Sequence, residues 1–359
     1  MTYVAVEAIL ISILLFIPNI VSDDTVPIPA VKTELNGWFQ SNVKPSPTLD
    51  PALATAEAGA KVIKVNADGS GDFKTLADAV KSVPDGNTNR VIVSIGPGKY
   101  TEKIKIERTK PFITFYGDAA NMPTLAFGGT SAEFGTVDSA TLIVESDYFS
   151  AVNIIIANTS PRPDGKRAGA QALALRIGGD KASFYNCKLN GFQDTLCDDK
   201  GLHFFKDCYI EGTVDFIFGN GKSIYVNTEL HVIPGDPVAV ITAQARQSEA
   251  MDTGYSFVHC TVTGTGGNAL LGRSWMPFAK VVFAYTDMSD AVDPKGWSDN
   301  VHPETDKTVF FGEYNCKGAR ADFAARVPFA KKLTDAEAQP FISLAFIEGS
   351  KWLLPPAKV

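Results

Sequence analysis

The chain has 359 residues, of which 45% are hydrophobic and 20% charged, a balance that is typical of a globular protein and excludes a mainly disordered chain. The formal net charge is −7 and the isoelectric point is about 5.2, so the basic surface that binds nucleic acid is missing and we expect no such partner. The length would allow two ordinary domains, but a repetitive solenoid can absorb it in one.

The first 22 residues predict a secretory signal peptide. The apolar run Ala8–Ile17 is too short to span a bilayer comfortably, and Ser22 offers a small residue for cleavage. The fit is imperfect, because the segment before the apolar run carries Glu7 and neither Lys nor Arg. No second long apolar segment follows in the chain, so we expect a secreted, extracellular protein that makes no membrane contact.

The remaining chain predicts an N-terminal arm followed by many short strands. Residues 23–60 are rich in Pro and Ala and predict a mobile arm with one short helix around Leu35–Val43. Further helices are expected at Thr75–Val80 and at Thr334–Phe346, with Trp352 anchoring the tail. From residue 61 onward, apolar segments alternate with Gly, Asn and Asp corners. The predicted strands include 61–65, 90–95, 104–106, 113–116, 140–145, 152–157, 172–177, 223–226, 238–244, 255–262 and 281–286.

One pattern is written twice between Ser183 and Gly219. The pattern Phe-x-x-Cys-x-apolar-x-Gly-x-x-Asp starts at Phe184 and again at Phe205, so every matched position is offset by 21 residues. A fixed short period indicates a solenoid, and its β-prone residues indicate strands. A partial third copy, Cys260-x-Val262-x-Gly264, supports one continuous unit. We therefore predict an all-β fold, a right-handed, single-stranded parallel β-helix over residues 61–359 with short N- and C-terminal helices.

The repeat would place two aspartates on one face of the solenoid. Neighbouring strands lie about 4.8 Å apart, so Asp194 and Asp215 would stack closely and one of their pKa values should rise. Such a pair can supply one nucleophile and one acid/base, although a pair of turn aspartates that cap the coils explains the repeat about equally well. Gln193 and Gln171 add amide donors for an oxyanion, and Arg273 can hold a carboxylate ionised.

The remaining polar residues indicate neither a triad nor a metal centre. The four histidines do not cluster, no G-x-S-x-G elbow occurs, and the five cysteines contain no C-x-x-C. We therefore expect no metal and no cofactor. Cys187 and Cys208 hold equivalent places on adjacent coils, which leaves both a disulfide and a ladder of free thiols open. The sequon at Asn158 is a candidate for glycosylation.

At these residues the chain resembles the pectin methylesterases of plants, whose fold is a β-helix of the pectin-lyase-like kind. The resemblance is collinear over residues 61–355, and GTVDFIFG together with QDTL is highly specific. The matching motifs are GSGDFKTL (69–76), SATLIV (139–144), QALALR (171–176), GFQDTL (191–196), GTVDFIFG (212–219), TAQAR (242–246), LGRSW (271–275) and FGEYNCKG (311–318). Within the family the chain is similar to short pollen-type enzymes, some of them weed-pollen allergens, which lack a long inhibitory pro-region.

The resemblance implies hydrolysis of the C6 methyl esters of pectin to pectate and methanol, in the plant cell wall. It also implies pectin and a proteinaceous inhibitor as partners, a monomeric state, and no cofactor. The resemblance implies that Asp215 is the nucleophile and Asp194 the general acid/base. It further implies that Gln193 and Gln171 donate to the oxyanion and that Arg273 holds Asp215. The implied substrate-binding residues are Thr136, Phe218 and Trp275.

The chain departs from the family pattern at three places. Ser274 stands where the family has Pro in LGRPW, and Cys197 replaces an aromatic residue after QDTL. Leu202–Phe205 reads LHFF, where Arg-Gln-Phe-Tyr is usual. None of these changes removes a catalytic group, so we expect an active enzyme with altered subsite preferences.

Two other classes of function stay open. A polysaccharide lyase or a glycosidase could share the β-helix and its acidic groove, but Gln171 and Gln193 beside the aspartates favour ester chemistry. A catalytically weak or silent pectin-binding wall protein is the second alternative. Its expected mark is the loss of Asp194, Asp215 or Arg273, and all three are present.

Overall fold

The computed structural model describes residues 24–359, so the signal peptide predicted for residues 1–22 lies outside the described residues. Most regular structure is β-strand. The strands, numbered in chain order, are β1 (Lys61–Val65), β2 (Val91–Ile95), β3 (Lys99–Thr101), β4 (Ile104–Ile106), β5 (Ile113–Gly117), β6 (Thr124–Phe127), β7 (Leu142–Val144), β8 (Ser150–Val152), β9 (Ile155–Asn158), β10 (Leu175–Ile177), β11 (Ala182–Tyr185), β12 (Lys188–Asn190), β13 (Leu196–Asp198), β14 (Leu202–Lys206), β15 (Tyr209–Gly212), β16 (Ile217–Gly219), β17 (Lys222–Val226), β18 (Glu229–Val232), β19 (Ala239–Gln244), β20 (Gly254–Val258), β21 (Thr261–Gly264), β22 (Ala269–Arg273), β23 (Lys280–Ala284), β24 (Asp287–Met288), β25 (Trp297–Ser298), β26 (Phe310–Tyr314) and β27 (Lys331–Lys332).

These strands form three parallel sheets that run the length of the molecule. Sheet 1 has the order β1-β2-β5-β8-β11-β14-β17-β20-β23-β26-β27. Sheet 2 has the order β4-β7-β10-β13-β16-β19-β22-β25, and sheet 3 the order β3-β6-β9-β12-β15-β18-β21-β24. Successive turns of the chain contribute one strand to each sheet in rotation, and this arrangement confirms the predicted right-handed parallel β-helix.

The predicted 21-residue period sets the register of the central coils. Leu175 pairs with Leu196, and Leu196 pairs with Ile217, in sheet 2. Because equivalent residues stack, the interior holds a column of rings whose adjacent centroids lie 4.5–4.6 Å apart. The rings are those of Phe184, Phe205, Tyr225, Phe257 and Phe283. Stacking of this kind adds to the burial of large apolar side chains and stabilises the solenoid.

A single residue in the left-handed backbone region turns the chain from sheet 1 to sheet 3. Asn153 has φ 58° and His259 has φ 55°, and each separates two strands where the sequence predicted one. The predicted strands 152–157 and 255–262 are therefore wrong, since the chain turns sharply inside both. Asparagine tolerates this conformation, and Asn186 also donates to Asn153 at 2.8 Å across neighbouring coils.

The N-terminal arm is packed and carries more than one helix. Its α-helices are α1 (Leu35–Asn42) and α2 (Pro51–Ala58), preceded by a 3₁₀ turn at Lys32–Glu34. Leu35, Trp38 and Leu53 are buried in a cluster with residues from the outer face of sheet 1. The short helix expected around Leu35–Val43 is thus present as α1, but the expectation of a mobile arm is wrong, because the arm covers apolar surface that sheet 1 would otherwise expose.

Three further short α-helices lie outside the three sheets. They are α3 (Leu76–Ser82), α4 (Ser131–Phe134) and α5 (Asp335–Ala338). The helix predicted over 334–346 is mostly 3₁₀ turns, at Gln339–Phe341 and Leu344–Ile347, because Pro340 cannot donate a helical hydrogen bond. Trp352 is buried and its indole N–H donates to the Ile347 carbonyl at 2.7 Å, which confirms its role as an anchor.

The cysteines and the sequon are both enclosed by the coils. All five cysteines are free thiols, so of the two alternatives the structure has the thiol ladder and not the disulfide. Cys187 donates to the Ala151 carbonyl at 3.5 Å, and Cys208 to the Phe184 carbonyl at 3.6 Å. Asn158 is 7% exposed and its amide donates to three backbone carbonyls, so the structure gives this sequon no room for a glycan. In residues 24–359 no helix has the length and apolarity needed to cross a membrane.

Candidate active site

The two repeated aspartates occupy equivalent corners between sheet 3 and sheet 2. Asp194 lies two residues before β13, and Asp215 lies two residues before β16. Their backbones have φ values of 65° and 50°, a left-handed conformation that costs energy outside glycine. The N–H of Asp194 donates to the Val214 carbonyl at 3.0 Å, which fixes the two corners to one another. The side chains are held on the same face, as the period predicted.

Arg273 joins this corner from the last residue of β22. Its Nε donates to Asp215 Oδ1 at 2.8 Å, and its Nη2 donates to Asp215 Oδ2. This two-pronged contact is the strongest geometry available between a guanidinium and a carboxylate. Asp215 is 5% exposed, so its carboxylate is largely shielded from water, and the two hydrogen bonds fix its orientation.

The environment separates the pKa values of the two carboxyl groups. Burial, followed by the negative charge of Asp215, raises the pKa of Asp194 to about 8, while Arg273 opposes this rise. Burial also raises the pKa of Asp215 above its ordinary value, but the hydrogen bonds and charge of Arg273 act against that increase. Asp215 therefore ionises first, and Asp194 keeps its proton at neutral pH.

The two glutamines lie on adjacent coils at the same edge. The N–H of Ala172, next to Gln171, donates to the Gln193 carbonyl at 3.3 Å. The Oε1 atom of Gln171 is buried and accepts no hydrogen bond from the part of the chain that the structure describes. Both side chains are half-buried. Gln171 and Gln193 therefore stand on adjacent coils, with Gln193 directly before Asp194, and the oxyanion role of their amides stays a prediction.

Thr136 is tied to the same edge through Ser131. The hydroxyl groups of Thr136 and Ser131 lie 2.9 Å apart, and the Ser131 N–H donates to the Gln171 carbonyl at 2.8 Å. Thr136 directly precedes a 3₁₀ turn at Val137–Ser139. The structure therefore places Thr136 within two hydrogen bonds of Gln171.

The two aromatic candidates lie on strand β16 and just beyond the end of strand β22. Phe218 on β16 is half-buried against a small cluster that includes Cys197. Trp275 is 48% exposed, and the Arg273 guanidinium lies 5.2 Å from the centre of its ring. Trp275 does not share a strand with Arg273, because β22 ends at Arg273 and the chain turns there.

Sequence reasoning missed Asn300, whose Oδ1 accepts from Arg273 Nη1 at 2.9 Å. No motif surrounds Asn300, so its role depends on folding that brings the next coil beside β22. Ser274 also has a visible role, since its N–H donates to the Ser298 carbonyl at 2.9 Å and proline could not. Within residues 24–359 no group of three His, Cys, Asp or Glu side chains is placed to hold a metal ion.

The fold and the site together define a parallel β-helix protein with two buried carboxyl groups, one of them clamped by an arginine, and two adjacent amides. The pectinesterase family model matches residues 62–350, and the chain belongs to that family. It is 65% identical to Pectinesterase 2 of Olea europaea over 100% of this chain and 99% of that protein. It is equally 65% identical to a pectinesterase of Parthenium hysterophorus, with the same coverage.

Solved structures show the same relationship. The carrot pectin methylesterase is 30% identical, with a TM-score of 0.76 over 82% of this chain and 97% of that one. A pectin methylesterase solved in complex with a hexasaccharide is 26% identical, with a TM-score of 0.68 over 82% of this chain and 98% of that one. These likenesses agree with the β-helix described above.

Proposed function

We propose that this protein hydrolyses the C6 methyl esters of pectin, releasing pectate and methanol. The observation that carries the proposal is the Asp215 carboxylate, clamped by Arg273 and placed one coil from the protonated Asp194. One carboxylate and one carboxylic acid on adjacent coils can supply a nucleophile and a general acid. Membership of the pectinesterase family and the relative solved with a hexasaccharide support the substrate class.

In the first half of the reaction, an Asp215 oxygen attacks the C6 carbonyl carbon, and the carbonyl electrons move to oxygen. The resulting oxyanion is stabilised by N–H groups of Gln193 and Gln171. Collapse of this tetrahedral state breaks the bond to the methoxy group, and the Asp194 proton passes to that oxygen. Methanol leaves, and galacturonate stays bound to Asp215 as a mixed anhydride.

In the second half, Asp194 is a carboxylate and accepts a proton from water. The water oxygen attacks the anhydride, the acid is released, and both aspartates return to their starting states. Arg273 compensates the negative charge of Asp215 when it is freed. No step needs an electron donor or acceptor. We assign substrate contacts to Thr136, Phe218 and Trp275, an assignment supported by the stacking of Arg273 on Trp275 and by the link from Thr136 through Ser131 to Gln171.

The test is to give the purified protein highly methylated pectin with excess EDTA. We expect methanol and acid in equal amounts, without shortening of the polymer and without ultraviolet absorbance from unsaturated ends. Asp215→Ala should abolish methanol release while the circular dichroism spectrum and the melting temperature show a folded protein. Chain cleavage would indicate a glycosidase or lyase, and tight pectin binding without methanol would indicate the silent binding protein.

We further propose that residues 1–22 direct secretion to the cell wall, and that 61–359 is the catalytic unit with 23–60 as its N-terminal arm. A monomeric state, binding of a proteinaceous inhibitor, and a pollen-type, allergenic character are parts of the same proposal. They are supported by the sequence resemblance described above. N-terminal sequencing of the secreted protein tests the removal of residues 1–22, and size-exclusion chromatography tests the monomeric state.

A further inference from the structure

We propose that Asn300 is a positioning residue for the reaction, which fixes the Arg273 guanidinium in the orientation that clamps Asp215. The proposal rests on the proposed function, since it assigns Asn300 a role in the same site. Asn300 reaches the site from the turn after β25, one coil beyond Arg273. It touches neither aspartate in the structure and acts through the arginine alone.

The contacts of Arg273 show why such a residue is needed. Two guanidinium nitrogens, Nε and Nη2, are used by Asp215, and the third, Nη1, donates to Asn300 Oδ1 at 2.9 Å. Trp275 contacts one face of the guanidinium but is 48% exposed, so it does not enclose the group. The amide of Asn300 therefore blocks the in-plane rotation that would release Asp215 from the two-pronged contact.

The backbone of the turn at Asn300 and Val301 is strained, and this conformation directs the Asn300 amide towards Arg273. Asn300 has φ 56° and Val301 has φ 64°, so two successive residues without glycine adopt the left-handed conformation. For a β-branched residue such as Val301 this is unusual, and its side chain is 90% exposed and gains no burial in return. Strain of this kind persists when other contacts impose it, and it is found at functional sites.

Hydrogen bonds of Ser298 hold the start of the turn in place. The Asn300 N–H donates to Ser298 Oγ at 2.9 Å, and the Ser274 N–H donates to the Ser298 carbonyl at 2.9 Å. The second bond exists because position 274 is Ser, where the family resemblance expects Pro. Ser274, the residue that follows Arg273, thus fastens the Asn300 turn to the end of β22.

A neutral acceptor suits this position, because the single positive charge of Arg273 already compensates Asp215. Asp194 lies one coil further and also interacts with Arg273, while Asp299 in the turn accepts from the Val301 N–H at 3.0 Å through its Oδ1. A carboxylate at position 300 would still accept from Nη1, but it would add a negative charge that raises the pKa of Asp215. An amide oxygen satisfies Nη1 without adding negative charge beside the nucleophile.

The experiment measures kcat and KM on methylated pectin across pH for the wild-type enzyme and for its Asn300→Ala and Asn300→Asp variants. Asn300→Ala should lower kcat by about 10- to 100-fold at every pH, the effect of losing a hydrogen bond to a charged group, with KM nearly unchanged. Its acid limb should move to higher pH, because a freed Arg273 holds Asp215 ionised less well. Asn300→Asp should move the acid limb upward by about one pH unit and recover kcat above it.

The control is Val301→Asn in the same turn, which relieves strain and should leave kcat and the pH profile unchanged. Unaltered kcat and pH limbs in Asn300→Ala would overturn the proposal. A loss of activity that follows a lowered melting temperature, with both pH limbs in place, would also overturn it and leave Asn300 a structural residue. Absence of methanol release by the wild-type enzyme is a different result and contradicts the proposed function instead.

Discussion

At the scale of single residues, one guanidinium gives two chemically identical side chains different pKa values. Asp194 and Asp215 come from two copies of one repeat and occupy equivalent corners with similar burial. What separates them is Arg273, which contacts Asp215 with two nitrogens. In the proposed mechanism, identical residues of a repeat thereby take an acid and a nucleophilic role through a contact that comes from outside the repeat.

The first prediction concerns the pH dependence of kcat/KM. The proposed mechanism requires Asp215 ionised and Asp194 protonated, so the rate should fall at low pH as Asp215 gains a proton. It should also fall above about pH 8, where Asp194 loses its proton. Arg273→Lys gives up the two-pronged contact, so the pKa of Asp215 rises and the acid limb moves to higher pH. An acid limb that does not move in Arg273→Lys would contradict this assignment.

The second prediction concerns a buried ion pair that takes no part in the chemistry. His203 Nδ1 lies 2.5 Å from Asp198 Oδ1, and its Nε2 lies 2.9 Å from the Gly179 carbonyl. Both partners accept hydrogen bonds, so both ring nitrogens must donate and the imidazole is protonated. Burial alone would lower the pKa of His203, but the charge and hydrogen bond of Asp198, with the Gly179 carbonyl, raise it overall.

Because the folded pKa of His203 is raised, its stabilising effect is complete below the unfolded value of about 6.5 and is lost as pH rises through the folded value. The melting temperature should therefore fall on the alkaline side of pH 6.5. In Asp198→Asn this part of the pH dependence should vanish, while the contribution of Asp194 stays in both proteins and cancels in the comparison. Parallel curves for the two proteins from pH 6 to 9 would rule out a charged His203.

At the scale of elements, corners and arm differ most from what the sequence predicted. The corner of Asp194 and Asp215 could be predicted, because the 21-residue period repeats the same residue types at matched positions. The corners at Asn153 and His259 were not, since one residue makes the whole turn and no glycine or proline marks it. Asn300 was equally hidden, because its contact with Arg273 depends on the path of the following coil.

The third prediction tests the packed arm. Leu53 on α2 is 1% exposed and belongs to the cluster that covers sheet 1. Leu53→Ala should lower the free energy of unfolding by about 2–5 kcal/mol, because it leaves a cavity in that cluster. The neighbouring Ala54 is exposed, so Ala54→Ser should change stability little. Equal stabilities of the two variants in urea unfolding would show that the arm does not pack as described.

At the scale of the whole molecule, the coils are held together without covalent links between them. The thiols of the interior lie in columns with their Sγ atoms donating to backbone carbonyls of the same or the preceding coil. The extracellular location proposed for the protein would permit disulfides. The structure instead relies on stacked rings and continuous parallel sheets, both of which act along the full length of the solenoid.

The fourth prediction follows from those columns. Titration of the denatured, unreduced protein should find five free thiols, the number of cysteines in the chain. The melting temperature of the native protein should be the same with and without a reducing agent. Three free thiols, or a lower melting temperature after reduction, would establish a bridge such as Cys187–Cys208 and contradict the structure.

The uneven lengths of the coils have a consequence for how this enzyme can change in evolution. In sheet 2, 33 residues separate Leu142 from its partner Leu175, and 30 separate Thr242 from Gly272. The coil that joins the two aspartates takes only 21. An insertion in one of the longer coils would leave this spacing intact, whereas one between Asp194 and Asp215 would separate the proposed reacting pair. The 21-residue coil therefore fixes the distance between the two carboxyl groups, and the longer coils are the places where the chain can change in length.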